Sequence, residues 1–230
     1  MAKKLDDKAS NLSSIPNFSF DFRKLLIEWH RKNRRTFPWR QTKDPFKVLL
    51  AEVMLQRTRA EQVNNVFNRL FNKFPNVRSM YVANWTEIEE ILRPLGLTHR
   101  IPRIRAMIEQ LVKKYEGRVP NSYRSLLRLP GVGRYIASAV LCFGFNKRVP
   151  IVDSNIARFY LRFFGLKDIK KRSHEDKRIL HIAKECLPRK NVREFNEALL
   201  DFTASICKPK PRCDKCPLET LCNYPKQVNH

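Results

Sequence analysis

The amino-acid sequence predicts an all-α protein, on three observations. Apolar residues recur at the three- and four-residue spacing of amphipathic helices in one segment after another. No long stretch alternates apolar and polar residues as a half-buried strand does. Glycine is scarce, six in 230 residues, two of them close together at Gly131 and Gly133, so periodic segments run long with few turn breakers.

After a polar leader ending at Pro16, the residues Phe22, Leu25, Leu26 and Trp29 give 20–31 a helical apolar face. Arg34-Arg35-Thr36-Phe37-Pro38-Trp39-Arg40 reads as a basic, aromatic connector broken by its proline. A helix is expected from Pro45, since proline suits the first helical position, through Val48, Leu49, Val53, Met54 and Leu55. Others are expected near 60–73, 85–93, 99–115 and 122–128. Residues 129–141 read as a tight turn and a helix, and 149–152 as a short extended stretch. Asp153 opens a helix through Phe164, two more fill roughly 174–186 and 191–205, and a cysteine-bearing loop closes the chain. The sequence has no internal repeat and no low-complexity tract.

Lys and Arg outnumber Asp and Glu 46 to 22, a formal net charge of +24 spread along the chain. That surplus points to a polyanionic partner, nucleic acid ahead of membrane or acidic protein. The alternative is a basic surface that only solubilises. No segment is apolar over the length of a bilayer span, and the polar start Met1-Ala2-Lys3-Lys4 lacks the apolar core of a signal peptide. The expected location is therefore cytoplasmic, nucleoid-associated, and the expected state monomeric. Thiols stay reduced there, so clustered cysteines read as metal ligands before disulfides.

Cys207, Cys213, Cys216 and Cys222 are spaced C-x5-C-x2-C-x5-C. Four thiolates at such spacing suit a [4Fe–4S] cluster or one tetrahedral zinc ion. Zinc ribbons usually present two C-x2-C knuckles, and here one such pair lies between two wider arms. Lys208, Lys210, Arg212 and Lys215 crowd the same loop and suit phosphate contacts whichever metal is bound. Cys142 and Cys186 sit in apolar helical contexts and read as core thiols.

Leu129-Pro130-Gly131-Val132-Gly133 joins two helical patterns by a tight turn. Gly131 and Gly133 permit positive φ and keep side chains out of the way of an approaching phosphate. Amides at the start of the following helix then face the anion, and Arg134 adds a cation. The same glycines serve equally as a structural turn.

Together these features resemble the helix–hairpin–helix (HhH-GPD) DNA glycosylases of the endonuclease III/MutY superfamily. The likeness runs from about Phe20 to Cys222. It rests on Phe37-Pro38-Trp39-Arg40, Leu129 to Tyr135, Val152-Asp153-Ser154-Asn155 and the four cysteines. One departure is visible: the family usually has six residues between the first two cysteines, and this chain has five. The resemblance implies a six-helix barrel domain over 37–147, and a helical [4Fe–4S] cluster domain from 1–36 and 148–230. It implies base-excision repair of double-stranded DNA with a mismatched or damaged base, and an abasic-site endonuclease as a downstream partner.

Asp153 is the kind of residue that caps a helix, and the resemblance makes it the catalytic aspartate. A fixed carboxylate stabilises the positive charge that glycosidic cleavage builds on the sugar, or activates water. Tyr135 stands where strand-cleaving relatives carry a lysine; a phenol forms no Schiff base, so a monofunctional enzyme is expected. Glu52, the one acid in Val48 to Gln56, would have a raised pKa if desolvated and would then protonate a departing base. The competing reading is an exposed position on an amphipathic helix.

Within the superfamily the chain most resembles the archaeal-type T/G mismatch thymine glycosylases. Gln56-Arg57-Thr58 places Arg57 where adenine enzymes usually have glutamine, and an arginine there would fill the stack and contact the orphaned guanine. Leu97 in Leu95-Gly96-Leu97 replaces an aromatic residue as a second wedge. The chain also stops soon after Cys222, where adenine enzymes continue into a further domain. Against this, Glu52-Val53-Met54-Leu55-Gln56 looks like the adenine enzymes. A different class, a catalytically silent DNA-binding module, would have no need of both Asp153 and Glu52.

Overall fold

In a computed structural model of the chain, residues 15–96, 98–166 and 173–224 are described, and every regular element among them is helical. In chain order these are α1 (Ile15–Asn33), α2 (Pro38–Gln41), α3 (Pro45–Met54), α4 (Ala60–Lys73), α5 (Val77–Tyr81) and α6 (Trp85–Leu92). They continue with α7 (Ile101–Tyr115), α8 (Tyr123–Leu126), α9 (Arg134–Ala139), α10 (Ser154–Phe163), α11 (Lys177–Glu185) and α12 (Val192–Ser205). The chain divides into two compact units, one of residues up to Arg35 with Val152 onward, the other Thr36–Ile151. None of the described helices is long and apolar enough to cross a membrane.

Two helices escape the periodicity reading because each is about one turn long. Helix α2 arises where Pro38 pre-sets the first helical position. Its flank is fixed by burial of Phe37 and Trp39, whose rings stack at 4.7 Å and 5°. Helix α5 starts on a reciprocal cap, with Ser79 N donating to Asn76 Oδ1 at 2.9 Å and Asn76 N to Ser79 Oγ at 3.2 Å.

In the Thr36–Ile151 unit, α3 is the central element. Asp44 caps it, accepting from Phe46 N at 2.8 Å, and every residue from Val48 to Met54 is buried. A helix apolar all round must be surrounded, and α2, α4 and α9 pack on it. Helix α9 runs on into a single π-turn, Val140–Gly144, which also lies against α3. Gly144 makes that approach possible: a Cβ there would sit 2.9 Å from Pro45 Cα.

The other unit is built on aromatic packing. Phe22 of α1 lies 5.2 Å from Phe163 of α10 and 5.8 Å from Phe195 of α12, centroid to centroid. Trp29 meets Phe202 edge-on at 5.3 Å. Within this core Asp201 is fully buried. It is compensated by Arg35, whose Nε and backbone N donate to it at 2.8 and 3.1 Å, and the buried His30 Nε2 lies 3.2 Å from it. A buried carboxylate needs such partners, and these tie α12 to the end of the first segment.

Candidate functional site

In the Thr36–Ile151 unit the hairpin is set by local chemistry. Ser122 caps α8, accepting from Ser125 N at 3.2 Å. Leu129 to Val132 then form a turn closed by Val132 N donating to Leu129 O at 3.1 Å. Pro130 and left-handed Gly131, φ 81°, occupy its centre, the pattern of a type II turn. Gly133 differs from the sequence expectation. Its φ is −94°, which any residue adopts, and a Cβ there would meet nothing within 4 Å. The fold alone does not demand glycine at 133. Gly131, Gly133 and Arg134 are all exposed.

Glu52 lies on the buried face of α3 with 5% of its surface exposed, so the exposed-face reading is excluded. Tyr135, in the first turn of α9, is half-buried. One turn beyond Glu52 the chain bends at Arg57, an exposed residue with φ 59°. Gln56, just before the bend, donates from Nε2 to Gly131 O at 3.2 Å. The α3 terminus and the hairpin are thus joined directly. Leu97 lies outside the described residues.

In the second unit, Asp153 caps α10 with φ −100°, its Oδ1 accepting from Ile156 N at 2.7 Å. Its Oδ2 accepts from Asn155 Nδ2 at 3.2 Å. Asn155 Oδ1 in turn accepts from Arg158 Nη2 at 3.0 Å, and the same nitrogen donates to Cys207 O at 3.2 Å. Capping and carboxylate presentation are therefore compatible: both oxygens are oriented, and the group is half-buried.

The four cysteines line one small apolar cavity, walled by Phe159, Phe163, Phe202, Ile206 and Leu218. Arg162 of α10 clamps the loop, donating to Lys208 O at 2.6 Å and Pro209 O at 2.8 Å, with its guanidinium 4.7 Å from the Tyr224 ring. Burial pushes the Cys216 thiol up to about 12, and Cys222, Cys207 and Cys213 add to the rise. Burial raises Cys207, Cys213 and Cys222 as well. Four converging thiols that resist ionisation become thiolates together only with a cation among them. Among the described residues no group of three or more His, Cys, Asp or Glu side chains forms a ready metal site. Four thiols around one apolar cavity suit a metal centre, and zinc and a [4Fe–4S] cluster both take such a donor set. Cys142 and Cys186 are buried core thiols.

The sequence reading did not single out Arg158 and Arg162, which meet carbonyls of the cysteine loop. The i, i+4 spacing of Arg158 and Arg162 on α10 was the available signal. It shows nothing until the folded loop brings its carbonyls to that face.

Comparison with known proteins places this geometry in context. Residues 50–185 match the family described as HhH-GPD superfamily base excision DNA repair protein. The chain is 35% identical to a thymine/uracil-DNA glycosylase of Methanothermobacter thermautotrophicus, over 87% of this chain and 90% of that protein. It is 32% identical to an adenine DNA glycosylase of Buchnera aphidicola, over 87% of this chain and 58% of that protein. The fold superposes on the structure of a thermostable thymine-DNA glycosylase with a TM-score of 0.86 and 32% identity, covering 96% of this chain and all of that one.

Proposed function

The chain belongs to the HhH-GPD superfamily of base excision DNA repair proteins and is a DNA glycosylase; from that premise we propose that it hydrolyses the N-glycosidic bond of thymine or uracil opposite guanine and leaves the strand intact. The observation that carries this reading is the near full-length likeness to a thymine/uracil-DNA glycosylase. Arg57 at the exposed bend supports it.

In the proposed mechanism, Gly131, Gly133 and Arg134 hold the backbone of the duplex, with Lys208, Lys210, Arg212 and Lys215 as further phosphate contacts. Arg57 and Leu97 enter the stack as the mispaired pyrimidine leaves it. Asp153 stabilises the oxocarbenium-like sugar as the bond breaks. Its two oriented oxygens suit that task, because a preorganised carboxylate need not reorient as charge develops. Glu52 delivers a proton to the departing base, and Tyr135 faces the nucleotide without attacking C1′. Water adds to C1′ of that sugar cation and gives up its proton to Asp153 or solvent; the product is an abasic site in an uncut strand, which requires a separate endonuclease.

Cys207, Cys213, Cys216 and Cys222 would hold a [4Fe–4S] cluster. When bound, the cluster supplies four iron–thiolate bonds that lock the loop and hold its lysines and arginines toward phosphate. Mass spectrometry of the base released from a T:G duplex tests the reading. Free thymine with an unbroken strand is expected; free adenine from an A:G duplex, with T:G untouched, would favour the adenine reading that Glu52 to Gln56 also suits.

A further inference from the structure

The bend after α3 is held in an unfavourable backbone conformation. Arg57, with φ 59°, sits in the left-handed region that a side chain with a Cβ avoids. Such a residue persists only when its surroundings over-determine it. Three contacts do so. Thr58 Oγ1 donates to Gln56 O at 3.4 Å, Gln56 Nε2 to Gly131 O at 3.2 Å, and Arg100 Nη1 to Gln56 O. Two of these reach outside the bend, to Gly131 and to Arg100, and the contact to Arg100 is the charged one.

Arg100 is poorly placed for its own benefit. It flanks the start of α7 without capping it, and its Nε donates to His99 Nε2 at 3.3 Å. Partial burial, then the charges of Arg57 and Arg103, draw its pKa below the ordinary guanidinium value. A free arginine side chain would swing away from two like charges into solvent, yet this one stays on the Gln56 carbonyl. We propose that Arg100 is a positioning residue: it pins the Gln56–Arg57 bend left-handed and thereby presents Arg57 to the duplex. The inference rests on the reading of Arg57 as the stacking wedge of a DNA glycosylase.

The test separates this role from simple phosphate attraction. Arg100→Lys keeps the charge but loses the planar fork. With a duplex carrying 2-aminopurine beside a T:G pair, and Asp153→Asn as a non-cleaving background, the fluorescence gain on binding reports opening of the stack. Arg100→Lys should reduce that gain and slow single-turnover thymine release about tenfold, the worth of one charge-assisted hydrogen bond. Affinity for matched duplex and its salt slope should stay unchanged. In an Arg57→Ala background Arg100→Lys should cost nothing further. Losses that multiply in the double variant, or an unchanged fluorescence gain, overturn the proposal. Should Arg100→Lys lose its helical circular dichroism, Arg100→Gln replaces it in the comparison with Arg57→Ala, its matched-duplex affinity being read against Arg103→Gln, which removes the same charge. Failure of the wild type to release any pyrimidine sinks the parent reading instead.

Discussion

Replacing Arg162 by alanine should open the cysteine loop by an amount that follows from its contacts. The half-buried guanidinium donates to Lys208 O at 2.6 Å, a charged hydrogen bond worth about 1.5–3 kcal/mol. The more exposed bond to Pro209 O, 2.8 Å, contributes less in water, about 0.5–1 kcal/mol. The Tyr224 ring, 4.7 Å away, contributes roughly 0.5–1 kcal/mol. Together these amount to about 3 kcal/mol, or roughly a hundredfold rise in the open population. Trypsin reads that population directly when reclosing outpaces cleavage. Lys208 and Lys210 precede prolines and resist the protease, so cuts should fall after Arg212 and Lys215. The variant should be nicked there about a hundred times faster than wild type, with Arg162→Lys intermediate. Rates within threefold of wild type would refute the clamp.

Other consequences can be checked separately. Asp153→Asn keeps a capping side chain, so the variant should fold and bind T:G duplex while thymine release falls about a hundred- to a thousandfold; full activity would remove Asp153 from the mechanism. Borohydride should trap no covalent adduct with wild-type enzyme, since Tyr135 forms no imine, and an adduct abolished by Tyr135→Phe would contradict that. Gly144→Ala forces a Cβ to 2.9 Å from Pro45 Cα and should cost about 1–3 kcal/mol, read as a lower melting temperature in calorimetry. Cys186, which burial pushes up to about 12, should resist iodoacetamide in native protein at pH 8 and react once the chain is unfolded.

The long helices were legible because their apolar faces repeat: α4 buries Val63, Val66, Phe67, Leu70 and Phe71 on one stripe. Pro45 and Asp153 announced the starts of α3 and α10 by local chemistry alone. Helices of about one turn carry too few residues for a period, so α2 and α5 had to be found in the structure. At the candidate site, features carried by residue type were readable from sequence, as with the cap made by Asp153 and the grouping of the four cysteines. Residues that act through a backbone carbonyl were not. Arg100, Arg158 and Arg162 meet carbonyls of Gln56, Cys207, Lys208 and Pro209, and no side-chain pattern encodes a carbonyl. Gly133 shows the opposite limit: none of the described residues near it requires glycine, and its type suits only the proposed phosphate contact.

The most direct test of the central claim is excision from four duplexes, T:G, U:G, A:G and A:8-oxoguanine, each assayed with and without alkali. Alkali-dependent cleavage is expected at the thymine of T:G and the uracil of U:G, with A:G and A:8-oxoguanine left whole. Efficient adenine removal with T:G untouched, or strand breaks that need no alkali, would contradict it.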